Sequence, residues 1–86
     1  MFFVYILKSL KDDELYIGST NNLVKRIKEH NSGRSISTQS RQPFKCIYFE
    51  GYLSEKDARK REHNLKLNGR ALAQLKKRLI NTLDIE

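Results

Sequence analysis

Three short runs of β-branched and aromatic residues predict the strands of this chain. The first two are FFVYIL, residues 2–7, and ELYIGS, residues 14–19, with the polar segment KSLKDD between them. This arrangement is typical of an antiparallel hairpin with a longer loop. The third run, residues 44–52, predicts a third strand, in which Ile47 and Phe49 share one face.

The pairing of the first two strands decides which side chains lie together. If the loop is centred near Lys11, Tyr5 lies opposite Tyr16. Phe3 then lies opposite Gly18, and the two phenols project from the same face. A slip of one residue in either strand would place the two rings on opposite faces.

From Thr20 onward the hydrophobic spacing becomes helical, and the segment begins with the capping residues TNN. An apolar stripe follows, and then a glycine that suits the position just past a helix: Leu23, Val24, Ile27 and Gly33. We therefore predict a helix over about Asn22 to Ser32. Arg26 and His30 lie four residues apart, so they stack on one flank of this helix, beside the stripe.

The segment SGRSISTQSRQP, residues 32–43, has no periodicity and no apolar cluster. Because it carries Arg34 and Arg41, we expect a mobile basic loop that could lie along phosphates. The alternative is a plain connector exposed to solvent, and the sequence leaves both interpretations open.

Two more helices are predicted after the third strand. Ser54 opens one in the manner of a capping box, and this helix runs to about Asn68. A further helix follows from leucines at helical spacing: Leu72, Leu75, Leu79 and Leu83. The whole pattern predicts an α/β (α+β) fold, with a small three-stranded antiparallel sheet flanked by about three helices, in one domain over residues 1–86.

Charge adds a candidate partner. Seventeen Lys and Arg residues against ten Asp and Glu residues give a formal charge of +7. A positive field of this size favours a polyanion, and nucleic acid is the leading candidate. The charge itself indicates no chemistry.

Several classes of protein are excluded or disfavoured. A single cysteine, Cys46, cannot form an intrachain disulfide, which fits a reducing cytoplasm. The apolar start is far too short to span a membrane and lacks a charged leader. The motifs of structural zinc, P-loop, dinucleotide and serine-hydrolase sites are missing.

Glu62 is an acidic residue at an apolar position. Ala58, Glu62 and Leu65 fall on one stripe of the second helix. Because burying an unpaired charge costs several kcal/mol, this carboxylate needs a cation, a metal ion or a cleft. An ion pair with a neighbouring Arg or Lys would satisfy the same requirement.

The order of these elements resembles a known family. The chain contains VYIL with Tyr5, then YIGST with Tyr16 eleven residues later, then RIKEH with Arg26 and His30. The segment ARKREHNLK follows and supplies Glu62. In this order the chain resembles the GIY-YIG nuclease superfamily over almost its whole length, and above all the small stand-alone bacterial members.

The resemblance implies hydrolysis of a phosphodiester with a divalent metal, Mg²⁺ or Mn²⁺. Tyr5 matches the tyrosine that closes the first motif, and Tyr16 the one that opens the second. Arg26 matches the family arginine, and His30 stands where members carry histidine or tyrosine. Glu62 matches the single metal-binding glutamate.

The chain departs from the family pattern at a few positions. Phe3 and Val4 replace the glycine and isoleucine of the first motif, and Ser19 stands where some relatives have a lysine. Some members use a further polar residue beyond the metal-binding helix. Asn64 and Asn68 are available for that role, and neither is assigned.

The chemistry favours these residue types. Mg²⁺ suits a site with one carboxylate, because it keeps most of its waters and takes phosphate oxygens as further ligands. Arg26 offers a planar charged fork for the phosphate. Tyr16 is the candidate general base, Tyr5 would orient the water or share its proton, and His30 could relay or position.

Four further residues are candidates for contact with nucleic acid. Gly18 has no side chain and would let the nucleic-acid backbone approach the sheet edge. The other candidates lie near the site or in the basic loop: Ser19, Arg34 and Arg41.

The main hypothesis is a metal-dependent endonuclease for which DNA is favoured over RNA. We expect it to act as a monomer or weak homodimer, and a protein partner could target it to its substrate. Its first rival is a catalytically silent nucleic-acid-binding module of the same fold. A third interpretation is a ribosome-associated or other RNA-binding protein that uses Arg34, Arg41 and residues 76–78. That interpretation gives the paired tyrosines no purpose.

Overall fold

A three-stranded antiparallel sheet forms the centre of the protein, in a computed structural model that describes residues 1–67 and 69–84. The strand order is β2-β1-β3, so the first strand is central. Among the described residues, no helix is long and apolar enough to cross a membrane. The elements are β1 Phe2–Ser9, β2 Leu15–Thr20, α1 Leu23–Asn31, β3 Phe44–Tyr52, α2 Glu55–Leu67, α3 Gly69–Arg78 and α4 Ile80–Leu83. The predicted fold class is confirmed.

The hairpin of β1 and β2 pairs two residues away from the predicted register. Tyr5 lies opposite Gly18, and Leu7 lies opposite Tyr16. The predicted pairing of Tyr5 with Tyr16 is therefore wrong. Because side chains alternate with a period of two, the shift keeps both phenols on the same face.

The loop of the hairpin explains this shift. The amide of Ser9 donates to the carbonyl of Glu14 at 2.9 Å. This hydrogen bond ends the pairing of the two strands and leaves the four residues 10–13 in the loop. The Ser9 hydroxyl accepts from the amides of Lys11 and Asp12 at 3.1 and 3.2 Å. Asp13 adopts a positive φ of 62°, a conformation that Asp tolerates better than most residues.

Each face of the sheet has its own apolar cluster. One face packs against α2 and α3 through Val4, Ile6, Ile17, Ala58, Leu65 and Leu75. The opposite face packs against α1 through Tyr5, Leu7 and Phe44, with Leu23 and Ile27 from the helix. The sheet therefore separates a packing layer from a layer that contains the two phenols.

A β-bulge in β3 changes the predicted pattern of that strand. Ile6 pairs with Tyr48 and Leu7 with Cys46, so Ile47 is the extra residue. The bulge lets Ile47 pack with the α2 and α3 cluster, whereas Phe49 contacts Phe3 on the other face. The expectation that Ile47 and Phe49 share a face is wrong for this reason.

The helices begin and end close to the predicted residues. Asn22 caps α1 by accepting from the Lys25 amide at 3.1 Å. The predicted third helix is interrupted at Leu79, whose amide donates to the carbonyl of Lys76 at 3.0 Å. That tighter turn separates α3 from α4. Asn68, the predicted end of the second helix, lies outside the described residues.

Glu50 joins β3 to α2 through an almost enclosed carboxylate. Its two oxygens accept the Tyr48 and Tyr52 hydroxyls at 2.6 Å each. Arg61 donates to both oxygens at 3.0 Å. Burial alone would raise the pKa of Glu50, but the hydrogen bonds from Arg61 and the two tyrosines outweigh it and lower the pKa.

We expect Glu50→Gln to lower the free energy of unfolding by about 1–3 kcal/mol at pH 7, because Arg61 loses its charged partner. The folded-state pKa lies below the unfolded value of 4.5, so this stabilisation is present above 4.5 and is lost as the pH falls through the lower value. Urea unfolding of both proteins should therefore give a difference that narrows in acid.

The matched control for this prediction is Glu55→Gln. Glu55 pairs with Arg59 at 3.8 Å on the exposed side of α2, where an ion pair contributes roughly 0–1 kcal/mol. Equal losses from the two substitutions would contradict the role given to Glu50.

Candidate active site

Tyr5 lies across β2 at the position of Gly18. A Cβ atom added to Gly18 would overlap the Tyr5 hydroxyl and lie 2.6 Å from Cζ of the same ring. The absent side chain is therefore what admits the phenol. Because the Tyr5 ring fills this space, a contact of Gly18 with nucleic acid stays a prediction.

The Tyr5 hydroxyl is hydrogen bonded to a buried histidine. It lies 2.9 Å from Nε2 of His30, and the Arg26 guanidinium lies near enough to act on the pKa of this phenol. Burial raises the pKa of Tyr5 to about 12, although Arg26 opposes this rise. The phenol is therefore protonated at neutral pH and can donate a hydrogen bond.

His30 is fully buried and has a second partner that the sequence did not indicate. Its Nδ1 lies 2.7 Å from Oγ1 of Thr38, and both side chains are 0% exposed. Burial lowers the pKa of His30, and the positive charge of Arg26 lowers it further. The loop predicted to be mobile thus places Thr38 in the site, and no periodicity or motif in that loop could have identified it.

Tyr16 lies beside the same imidazole but is more accessible. Its ring centroid is 4.9 Å from that of His30 and 6.4 Å from that of Tyr5. Tyr16 is partly exposed, whereas Tyr5 is 1% exposed. Water can therefore reach the Tyr16 side chain more readily.

Arg26 completes the cluster from α1. Burial lowers the pKa of its guanidinium, but the hydrogen bond with Tyr5 and the charges around it give a net rise. Its side chain remains 32% exposed and pairs with Glu29 at 3.5 Å. Part of the Arg26 guanidinium is therefore held by Glu29, and part is open to solvent.

Glu62 approaches from α2, at the edge formed by β2. Ser19 donates to Oε1 at 2.6 Å, and Lys66 donates to Oε2 at 2.7 Å. Burial alone would raise the pKa of Glu62, but these two hydrogen bonds outweigh it and lower the pKa. The charge of Glu62 also raises the pKa of Tyr5 slightly.

The surroundings of the Glu62 carboxylate determine how it could hold a divalent cation. It lines a cleft of about 450 Å³ with Ser19, Arg59, His63 and Lys66. The Lys66 ammonium already places a positive charge at one oxygen. Within residues 1–67 and 69–84 no group of three or more acidic, His or Cys side chains could hold a metal, so a resident ion would take one carboxylate and complete its shell with water and substrate oxygens.

The remaining candidates lie apart from this cluster. Arg41 pairs with Asp12 at 3.1 Å and stacks over the Phe44 ring at 5.6 Å. Arg34 lines a different cleft with Lys25 and Lys28. Contacts of these arginines and of Ser19 with nucleic acid stay predictions. Asn64 is exposed on α2 and Asn68 lies outside the described residues, so neither is assigned a role.

Comparison with known proteins gives a consistent result. A family model described as the GIY-YIG catalytic domain matches residues 1–78. A UPF0213 protein of Clostridium perfringens is 49% identical over 67 residues, which cover 77% of this chain and 71% of that protein. A UPF0213 protein of Pediococcus pentosaceus is 37% identical over 71 residues, covering 81% and 74%.

A solved structure is also similar. The solution NMR structure of a UPF0213 protein from Bacillus halodurans aligns with a TM-score of 0.53 and 36% identity. The alignment covers 87% of this chain and 82% of that one. The likeness therefore extends from the sequence to the arrangement of the sheet and helices.

We expect Gly18→Ala to destabilise the protein by about 1–3 kcal/mol, because the new methyl group must displace a buried, hydrogen-bonded phenol. Urea unfolding measures the loss. Gly69→Ala is the control, since a Cβ at Gly69 would meet nothing within 4 Å. This substitution replaces a helical glycine by alanine, so it should not lower the free energy of unfolding. If both variants are as stable as the wild type, Tyr5 does not lie over Gly18.

Proposed function

Since this chain belongs to the GIY-YIG catalytic domain family, a family of nucleases, we propose that it is a metal-dependent endonuclease that hydrolyses phosphodiester bonds, in DNA rather than RNA. The observation that carries the proposal is the convergence of two phenols, an imidazole and a guanidinium, with one carboxylate at the adjoining sheet edge. The residues are Tyr5, Tyr16, His30, Arg26 and Glu62.

Each side chain has a proposed role in the reaction. Arg26 binds the nonbridging oxygens of the scissile phosphate with the open side of its guanidinium. Tyr16 takes a proton from the attacking water, whose oxygen bonds to phosphorus as the bond to the leaving sugar oxygen breaks. Tyr5, held by His30, orients the water.

Glu62 would hold the metal ion, Mg²⁺ or Mn²⁺. When bound, the ion supplies positive charge next to the phosphate as negative charge develops there. Ser19 orients the carboxylate through its 2.6 Å hydrogen bond. The cleft around Glu62 also contains Arg59, His63 and Lys66, a basic lining that suits the sugar-phosphate backbone.

A second candidate function is nucleic-acid binding without cleavage. The observation in its favour is the ion pair between Glu62 and Lys66 at 2.7 Å, which satisfies the carboxylate without a metal. This alternative does not explain why Tyr5, Tyr16 and Arg26 lie together, since binding alone does not require a buried phenol that is hydrogen bonded to a histidine.

We expect the purified protein to nick supercoiled plasmid or branched DNA with Mg²⁺ and to lose this activity with a chelator. Glu62→Gln should abolish nicking, because the metal loses its protein ligand. Tyr16→Phe should lower the rate by about 10²–10⁴, the range typical of a general base. Glu55→Gln, on the exposed face of the same helix, should leave the rate unchanged.

Two outcomes would contradict the proposal. Equal nicking by all four proteins would mean that a contaminating nuclease is responsible. Binding of DNA by the wild type without nicking in Mg²⁺ or Mn²⁺ would support the binding module.

A further inference from the structure

The loop between α1 and β3 places the hydroxyl of Thr38 in the interior of the protein. Thr38 is 0% exposed, and its Oγ1 lies 2.7 Å from Nδ1 of His30. The same hydroxyl lies 3.5 Å from the carbonyl oxygen of Ser35, which can only accept. The residues on either side of Thr38, Ser37 and Gln39, are exposed.

The partners of Tyr5 and Thr38 determine where the protons lie. The neighbouring Arg26 guanidinium has no acceptor atom, so it cannot accept the Tyr5 proton. The Tyr5 proton is then available to Nε2 of His30 at 2.9 Å. An imidazole that accepts at Nε2 carries its proton on Nδ1 and donates it to Thr38.

The opposite arrangement leaves a group without a partner. With the His30 proton on Nε2, His30 would donate to the Tyr5 oxygen, and the Tyr5 proton would lose its buried acceptor. Thr38 would have to donate to Nδ1 and could no longer donate to the carbonyl of Ser35. Because burial lowers the pKa of His30, the ring is neutral and one nitrogen must accept.

We propose that Thr38 is a positioning residue that fixes the tautomer of His30, with the proton on Nδ1, and thereby fixes the direction of the Tyr5 hydroxyl. The Tyr5 oxygen then presents a lone pair toward Arg26 and the reacting phosphate, where it can accept a hydrogen bond from water. The loop is therefore part of the catalytic centre. The consequence for cleavage rests on the proposed nuclease function, and the tautomer itself does not.

The tautomer can be measured directly by ¹⁵N NMR of the imidazole nitrogens in the free protein, without metal or substrate. The wild type and Thr38→Ser should carry the His30 proton on Nδ1. Thr38→Val, which has nearly the same shape but no acceptor, should move the proton to Nε2 in at least part of the population. Ser37→Ala, in the same loop, should leave the tautomer unchanged.

Either of two NMR results would overturn the inference. One is a wild-type His30 protonated on Nε2, and the other is a Thr38→Val spectrum that still shows the proton on Nδ1. If Thr38→Val fails to fold, the wild-type and Thr38→Ser spectra still decide, because a proton on Nε2 in either one refutes the assignment.

Cleavage gives the second measurement. Thr38→Val should lower kcat by roughly 10- to 100-fold, the scale reported for outer partners that orient a histidine, with KM unchanged and activity restored in Thr38→Ser. An unchanged kcat would overturn the catalytic part of the inference. A protein that never cleaves but has the expected tautomers would refute the proposed function and leave the role of Thr38 intact.

Discussion

A tyrosine ring can lie across a neighbouring strand only where that strand has no side chain in its path. In this protein Gly18 provides that space, and Tyr5 fills it. The burial that follows gives the phenol a fixed partner, His30 at 2.9 Å. The position of the Tyr5 ring beside His30 and Tyr16 therefore depends on a side chain that is absent.

The central position of β1 connects this site to the stability of the fold. Its even-numbered residues Val4 and Ile6 pack with α2 and α3, and its odd-numbered residue Tyr5 belongs to the opposite layer. Glu62 belongs to α2 and reaches the site only at the edge of β2, where Ser19 holds it. The carboxylate therefore lies at the edge of β2, whereas the phenols lie on the face of the sheet opposite α2, and each is supported by a different apolar layer.

The sequence predicted the elements better than their detailed contacts. The strands and helices follow from hydrophobic period and capping residues, which are local signals. The pairing of Tyr5 was wrong by two residues because it depends on hydrogen bonds of Ser9 within the loop. Ile47 was assigned to the wrong face because an alternating pattern contains no sign of a bulge. Thr38 was missed because only tertiary structure brings it to His30.

The ion pair between Lys66 and Glu62 affects how the protein folds. The carboxylate has an internal counterion one helical turn away, so folding does not leave a bare negative charge waiting for an external one. A divalent ion would arrive by exchange, displacing an ammonium that swings aside into solvent. An ion bound at Glu62 would then be needed for the proposed reaction and not for folding, so its supply would change activity without changing the folded structure.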